Sequence, residues 1–214
     1  MKSIVIIGAG DLGKEVVWLV EDINKNKPTY VILGFLDDDV SKVGEEFYGY
    51  KVLGNDDILE DLQKKSNVGA VIAIQKGDIR KKIVERHPVF NDWVTLVHPT
   101  AVIASTSSVG IGSIVFPYVS ISVDSKLGDF NLYYINCTIC NDCKLGDYVS
   151  VMSNASISEH SMIGDEGFLS AGCTIYPHIN LARHVSVGVG VAVCKDYGDN
   201  TNVSEKGTGF SLFK

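Results

Sequence analysis

From Val97 onward every sixth residue is apolar: Val97, Ile103, Val109, Val115, Ile121, Leu127, Tyr133, Ile139, Leu145, Val151, Ile157, Ile163, Leu169, Ile175, Leu181, Val187 and Val193. Only Tyr133 among them is not aliphatic. Two residues earlier the side chain is mostly small, as at Ala101, Ser107, Ser113, Cys137, Cys143, Ala155, Ser161, Gly167 and Cys173. One residue later glycine recurs, at Gly110, Gly128, Gly146, Gly164 and Gly188. Such a period is neither the ~3.6 of a helix nor the ~2 of a half-buried strand. It is the hexapeptide period of a parallel β-helix, in which three hexads close one triangular coil of about eighteen residues. The aliphatic residue fills the prism and the small one leaves it room.

The pattern before Val97 is different. Ser3 to Ile7 is an apolar run of strand length, followed by Gly8-Ala9-Gly10-Asp11-Leu12-Gly13. A helical stretch, Asp11 to Asn24, then carries Val16, Val17, Leu19, Val20 and Ile23 on one side. The strand Tyr30 to Leu36 ends in Asp37-Asp38-Asp39. Helices are expected near Asp56 to Lys65 and Asp78 to Arg86, and strands at Ala70 to Ile74 and Val94 to Val97. Alternating strands and helices predict a small parallel sheet flanked by helices. The fold class is therefore α/β + β. A Rossmann-like domain spans residues 1–97 and a β-helix spans 98–194, entered through His98-Pro99-Thr100-Ala101. A tail, 195–214, caps the open end with Phe210, Leu212 and Phe213 as its apolar face.

G-x-G-x-x-G after a strand and before a helix offers a tight turn and unpaired N–H groups to an anion. The motif also occurs in loops that merely need glycines. The acidic run at Asp37 suits a ribose hydroxyl, as in NAD sites, yet a dehydrogenase needs a catalytic domain and a β-helix follows instead. Beside the plain glycine turn and NAD, the favoured reading is a nucleotide or nucleotide-sugar at the carboxyl ends of the strands. Gly8, Gly10, Gly13, Asp37 and Asp38 are its candidate contacts, with Lys14 reaching a phosphate.

Composition narrows the partners. The chain of 214 residues is 45% hydrophobic with net charge −7, and no basic block appears, which argues against nucleic acid. No signal peptide is apparent, and no apolar run approaches the ~20 residues that span a bilayer, so a cytoplasmic protein without membrane insertion is expected. Of the five cysteines, Cys137-x-x-Cys140-x-x-Cys143 has a spacing found at metal sites. The hexad register places Cys137 and Cys143 inward on different faces of the coil, where cysteine acts as a small hydrophobe, so no metal is expected.

A small α/β domain opening with Gly8-Ala9-Gly10 and Gly13-Lys14, then His98-Pro99-Thr100-Ala101, then hexads, resembles the sugar acyltransferases of the bacillosamine and sialic-acid type. The resemblance covers nearly the whole chain. It implies a left-handed β-helix, a homotrimer with active sites between subunits, acetyl-CoA in the groove between neighbouring prisms, and a UDP- or GDP-linked amino sugar held by the α/β domain, with a UDP-linked 4-amino-4,6-dideoxy hexose as the favoured case. It implies backbone contacts to CoA around Ser170, Ala171 and Gly188, with Lys195 toward a phosphate. The family's active-site stretch is similar to Asn136-Cys137-Thr138-Ile139-Cys140-Asn141-Asp142-Cys143-Lys144-Leu145-Gly146-Asp147. The family's histidine base falls on Asn141, whose amide cannot accept a proton near neutrality. Asp142, which would orient it, is retained, and Asn136 completes the frame. The family's sugar-contacting asparagine falls on Tyr134 and a further histidine on Ser150.

Coil arithmetic supplies a second basic group. Eighteen residues return the chain to the same corner one coil on, so Asn141 should lie under Glu159 and Asp142 under His160, with His178 above. An outward histidine at a turn is also simply solvated. Asn141, Asp142 and His160 are accordingly the candidate catalytic residues of an N-acetyltransferase that lacks the usual histidine. An O-acyltransferase on the same scaffold and a catalytically inactive binding trimer are the alternatives.

Overall fold

The computed structural model describes residues 1–204. The N-terminal part is built from β1 (Lys2–Ile7), α1 (Asp11–Asn26), β2 (Tyr30–Leu36), β3 (Glu46–Phe47), β4 (Tyr50–Gly54), α2 (Leu59–Ser66), β5 (Gly69–Ile72) and α3 (Gly77–Arg86). The strand order is β3-β4-β2-β1-β5. All neighbours run parallel except β3 against β4. Ile4, Ile6, Val16, Leu19, Val20 and Phe35 pack between the sheet and α1.

Two differences from the sequence expectation concern edges. The hairpin of β3 and β4 was not foreseen, since its strands are short and its turn is made by Tyr48 and Gly49, both at positive φ. The strand expected at Val94 to Val97 divides. Trp93 makes a single bridge to Ala70, while Leu96–Val97 pairs with Ile114 and Val115 and is already the first rung of the prism.

The hexads wind into three parallel sheets. One face carries Val102–Ile103 through Ala192–Val193, the second Ser108–Val109 through Asn180–Leu181, and the third Leu96–Val97 through Asn202–Val203. Partners are one coil apart, as in Ser120↔Thr138↔Ser156. A left-handed residue turns the chain at most corners of the middle coils. Tyr118, Asp124, Phe130, Asn136, Asp142, Tyr148, Asn154, His160, Glu166, His178 and His184 all have φ between 55° and 62°. An L-residue there costs roughly 1–2 kcal/mol. The cost is met by the coil below, because these N–H groups donate to it: Asp142 to Val123 O at 3.1 Å and His160 to Asn141 O at 3.1 Å.

Inside, Ile121, Ile139, Ile157, Ile175 and Val193 stack with Cys137, Ala155 and Cys173 in one apolar column. Tyr133 fits because Asn131, two residues before it, donates Nδ2 to the Tyr133 hydroxyl at 2.9 Å. The first coil has nothing beneath it, so Val97 stays 38% exposed. The last rung is shorter than eighteen residues, with Ser186 paired to Asn202 and Tyr197 bridged to Leu181. The capping residues expected at Phe210, Leu212 and Phe213 lie outside the described residues.

The third face is the docking face. Its outward residues Leu96, Ile114 and Leu132 join the core of the α/β domain together with Phe116 and Val94. His98 closes the seam, with Nδ1 2.8 Å from Thr100 Oγ1 and Nε2 3.4 Å from Asp22 of α1.

Candidate active site

The glycine loop shapes a cavity between the two parts of the chain. Gly8 has φ +110°, and a Cβ on it would stand 2.7 Å from the Ala73 carbonyl oxygen. A Cβ on Gly13 would strike the Gly8 carbonyl, so both positions exclude a side chain. Gly10 caps α1 with no side-chain hydrogen bond, which leaves the helix N-terminus to the cavity. The cavity measures about 500 Å³ and is lined by Gly8, Gly10, Asp11, Leu12, Glu15, Asp37, Ala73, Ile74, Gln75 and Tyr134. Tyr134 comes from the prism and packs on Phe116 with centroids 4.7 Å apart.

Asp37 holds the loop. Its Oδ2 accepts the Ala9 N–H at 2.8 Å, its Oδ1 accepts the Asp39 N–H at 3.0 Å, and Lys42 Nζ lies 3.1 Å away. Burial pushes the Asp37 carboxyl up, but the N–H groups of Asp39 and Ala9 together with Lys42 outweigh it and hold the group below the usual carboxylate range. Burial, aided by Asp11, raises the carboxyl of Glu15.

The expected nucleotide contacts divide. Gly8, Gly10, Asp37 and Tyr134 line the cavity. Gly13 is buried beneath the loop. Lys14 points away, with Nζ 4.8 Å from the Tyr48 ring centroid. Asp38 is exposed and faces Arg86 at 3.7 Å. Asn136 sits at a prism corner and donates to Asn154 Oδ1 at 2.7 Å.

Missing from the sequence reading was Arg80, 2% exposed, which pins the cavity wall to the prism. It donates to Ile74 O at 2.9 Å and Gln75 O at 2.8 Å on one side. On the other it reaches Phe130 O at 2.8 Å, Tyr148 O at 2.7 Å and Val149 O at 3.1 Å. Burial lowers its guanidinium to about 10, so it remains charged at neutral pH. Ser150, at a position that resembles a family histidine, is buried in this joint and donates to Gln75 O at 2.7 Å. The available signal was a charged residue on the same helical face as Ile83.

On the opposite side of the prism, the corner between the first two faces carries a column of Asp142, His160 and His178. His160 Nδ1 lies 3.9 Å from Asp142 Oδ2, and the rings of His160 and His178 stack at 4.8 Å with an 8° tilt. Asn141 donates Nδ2 to the same Asp142 oxygen at 2.7 Å, which leaves its amide oxygen to accept. The coil arithmetic therefore brings the three candidate catalytic residues together. A groove of about 680 Å³ begins beside this column and crosses the second face over Gly146, Met162, Gly164, Ala182 and Tyr197. Ser170, Ala171 and Gly188 gather at a different corner, where the Gly190 N–H donates to Ala171 O at 3.0 Å. Lys195 stands apart from them, 5.4 Å from the Tyr197 ring centroid.

Cys137 and Cys143 are fully buried on different faces, and no three His, Cys, Asp or Glu side chains converge on a metal-sized site among the described residues. Nor is any described helix long and apolar enough to cross a membrane.

Residues 3–87 match the family of the PglD N-terminal domain. The whole fold is shared with the acetyltransferase domain of PglB from Neisseria gonorrhoeae FA1090, at 26% identity over 94% of this chain and 96% of that one, with a TM-score of 0.86. This is the build of a hexapeptide-repeat sugar acyltransferase. The same Neisseria domain in complex with acetyl coenzyme A superposes on this acyltransferase fold with a TM-score of 0.85 at 26% identity, covering 94% and 95% of the two chains. A histidine-to-asparagine variant of perosamine N-acetyltransferase from Caulobacter crescentus, in complex with CoA and GDP-perosamine, matches at 25% identity and TM-score 0.85 over 94% and 93%. No curated protein matches the sequence significantly.

Proposed function

We propose that the chain is an acetyl-CoA-dependent N-acetyltransferase acting on the amino group of a nucleotide-linked 4-amino-4,6-dideoxy sugar. The observation that carries this reading is the division of the molecule. A nucleotide-sized cavity lies at the glycine loop, and a separate polar corner of the prism holds Asn141, Asp142 and His160. In a trimer of side-by-side prisms, the cavity of one subunit serves the corner of its neighbour. Cytoplasmic activated sugars and acetyl-CoA are the substrates this arrangement suits.

In the reaction the neutral sugar amine attacks the thioester carbonyl, the C–N bond forms, the C–S bond breaks and the amine proton leaves with the thiolate as free thiol. Positioning the two substrates supplies much of the rate. A positioned base adds about 10²–10⁴-fold, so an amine can react without it while a sugar hydroxyl cannot do so easily. The Asn141 amide oxygen accepts an amine N–H, since its nitrogen is tied to Asp142. His160 relays that proton through water to the departing thiolate. That the Caulobacter asparagine variant was captured with both CoA and GDP-perosamine supports binding without a histidine there.

Mass spectrometry of the product formed from acetyl-CoA and a nucleotide 4-amino sugar tests the reading. An acetyl group that resists hydroxylamine is the amide expected. A hydroxylamine-labile ester would make the chain an O-acyltransferase, and ligand binding without product would make it a binding trimer.

A further inference from the structure

The proton relay at the prism corner has a neighbour that the proposed reaction leaves unused. His160 and His178 occupy the same corner one coil apart, both with left-handed backbones, at φ of 57° and 62°. Each is tied to the coil below by its own N–H, His160 to Asn141 O at 3.1 Å and His178 to Glu159 O at 3.0 Å. Their rings stack with centroids 4.8 Å apart and planes 8° from parallel. That separation equals the rung spacing of neighbouring strands, ~4.8 Å, so the two imidazoles lie face to face without either leaning across the coil.

The His160 side chain is 47% exposed, and a lone imidazole so placed turns between staggered rotamers. Here one flat face is covered by His178, while Nδ1 stays 3.9 Å from Asp142 Oδ2. With Nδ1 turned to the carboxylate, Nε2 is the nitrogen left to exchange a proton with water. Two charged imidazoles at this spacing repel. The stack therefore holds while at least one ring is neutral, which is the state a proton acceptor needs.

We propose that His178 is a positioning residue, whose ring holds that of His160 with Nδ1 toward Asp142 and leaves Nε2 to the relay, without itself exchanging a proton. The inference rests on the relay assigned to His160 in the proposed reaction.

Steady-state thiol release from acetyl-CoA with a nucleotide 4-amino sugar, on the full chain and its variants, tests it. Asparagine removes the ring yet accepts a left-handed corner, as Asn136 and Asn154 do. His178→Asn should lower kcat about fivefold, the size of one lost aromatic stack, with KM for both substrates within about twofold and an unchanged melting temperature. His178→Phe restores a flat face that cannot take a proton, and should recover most of that loss; Phe130 shows that such a corner admits the side chain. In a His160→Asn background, itself slower by about tenfold or more, His178→Asn should cost nothing further. An equal cost in both backgrounds overturns the inference, because His178 then acts without His160. A raised KM for acetyl-CoA at unchanged kcat overturns it by making His178 a CoA contact. A His178→Phe chain as slow as His178→Asn overturns it by making the second imidazole a proton carrier. If His178→Asn lowers the melting temperature, the His160→Asn background decides, since a structural loss persists there and a positioning loss disappears. A slow His160→Asn beside a silent His178→Asn overturns this inference alone, whereas a silent His160→Asn overturns the relay with it.

Discussion

His160 stands directly above Asp142, one coil on, with Nδ1 3.9 Å from the carboxylate oxygen that also receives the Asn141 amide at 2.7 Å. The acid that orients a base is thus in place, and the position beside it holds an amide. Asn141→His should place an imidazole next to Asp142 and raise kcat by up to about 10²-fold. Asn141→Ala, which loses one hydrogen bond, should lower it only about tenfold. Steady-state kinetics over a pH series checks both. An Asn141→Ala loss above 10³-fold would mean that the amide does more than position the amine.

Arg80 makes the two parts of the chain one body. Arg80→Met leaves the carbonyls of Phe130, Ile74, Gln75, Tyr148 and Val149 without its charge-assisted hydrogen bonds. Each buried polar group left unpaired costs about 1–3 kcal/mol. Urea unfolding should show a loss of about 3 kcal/mol or more. Nucleotide affinity should fall with it, because Ile74 and Gln75 are cavity wall.

The cysteines separate by burial. Burial pushes the thiols of Cys137 and Cys173 up to about 12 and that of Cys143 up to about 11. Cys140, half buried, is raised by burial and by Glu159, and Cys194 is exposed. A thiol reagent at neutral pH should modify Cys194 fast and Cys140 slowly. The remaining three should react only on denaturation. Mass spectrometry of the labelled protein reads the order directly.

Asp37 gives the fold a pH dependence. Its folded carboxyl is held below its unfolded value, so it contributes stability above the unfolded value near ~4, lost as pH falls through the folded one. Asp37→Asn should cost about 1 kcal/mol at neutral pH. The difference from the unmodified chain should shrink below about pH 4, as followed by thermal melts across that range.

The prism was legible because its core repeats one demand. Every coil asks for an aliphatic residue at the same inward position, and Ile121, Ile139, Ile157 and Ile175 answer it in register. The vertical neighbours of Asn141 and Asp142 followed from that register alone. Where pairing depends on the other domain, the sequence was silent. Arg80 is a charged residue on a helix, and only the docked prism shows that it is buried among carbonyls. The hairpin of β3 and β4 is weakly marked in the sequence because Val52 is its one fully buried residue, with Phe47 and Tyr50 only partly buried against the same core. Lys14 and Asp38 neighbour true cavity residues in sequence, yet the helix and the strand end turn them outward.

The central claim is acetyl transfer from acetyl-CoA to a nucleotide-linked sugar amine. Free thiol released from acetyl-CoA should be measured with a nucleotide 4-amino-4,6-dideoxy sugar and, in parallel, with its 4-hydroxy counterpart. Saturable thiol release with the amine, and release at least 10²-fold slower with the hydroxyl, is the predicted result. Equal rates with both acceptors, or no thiol from either, would contradict it.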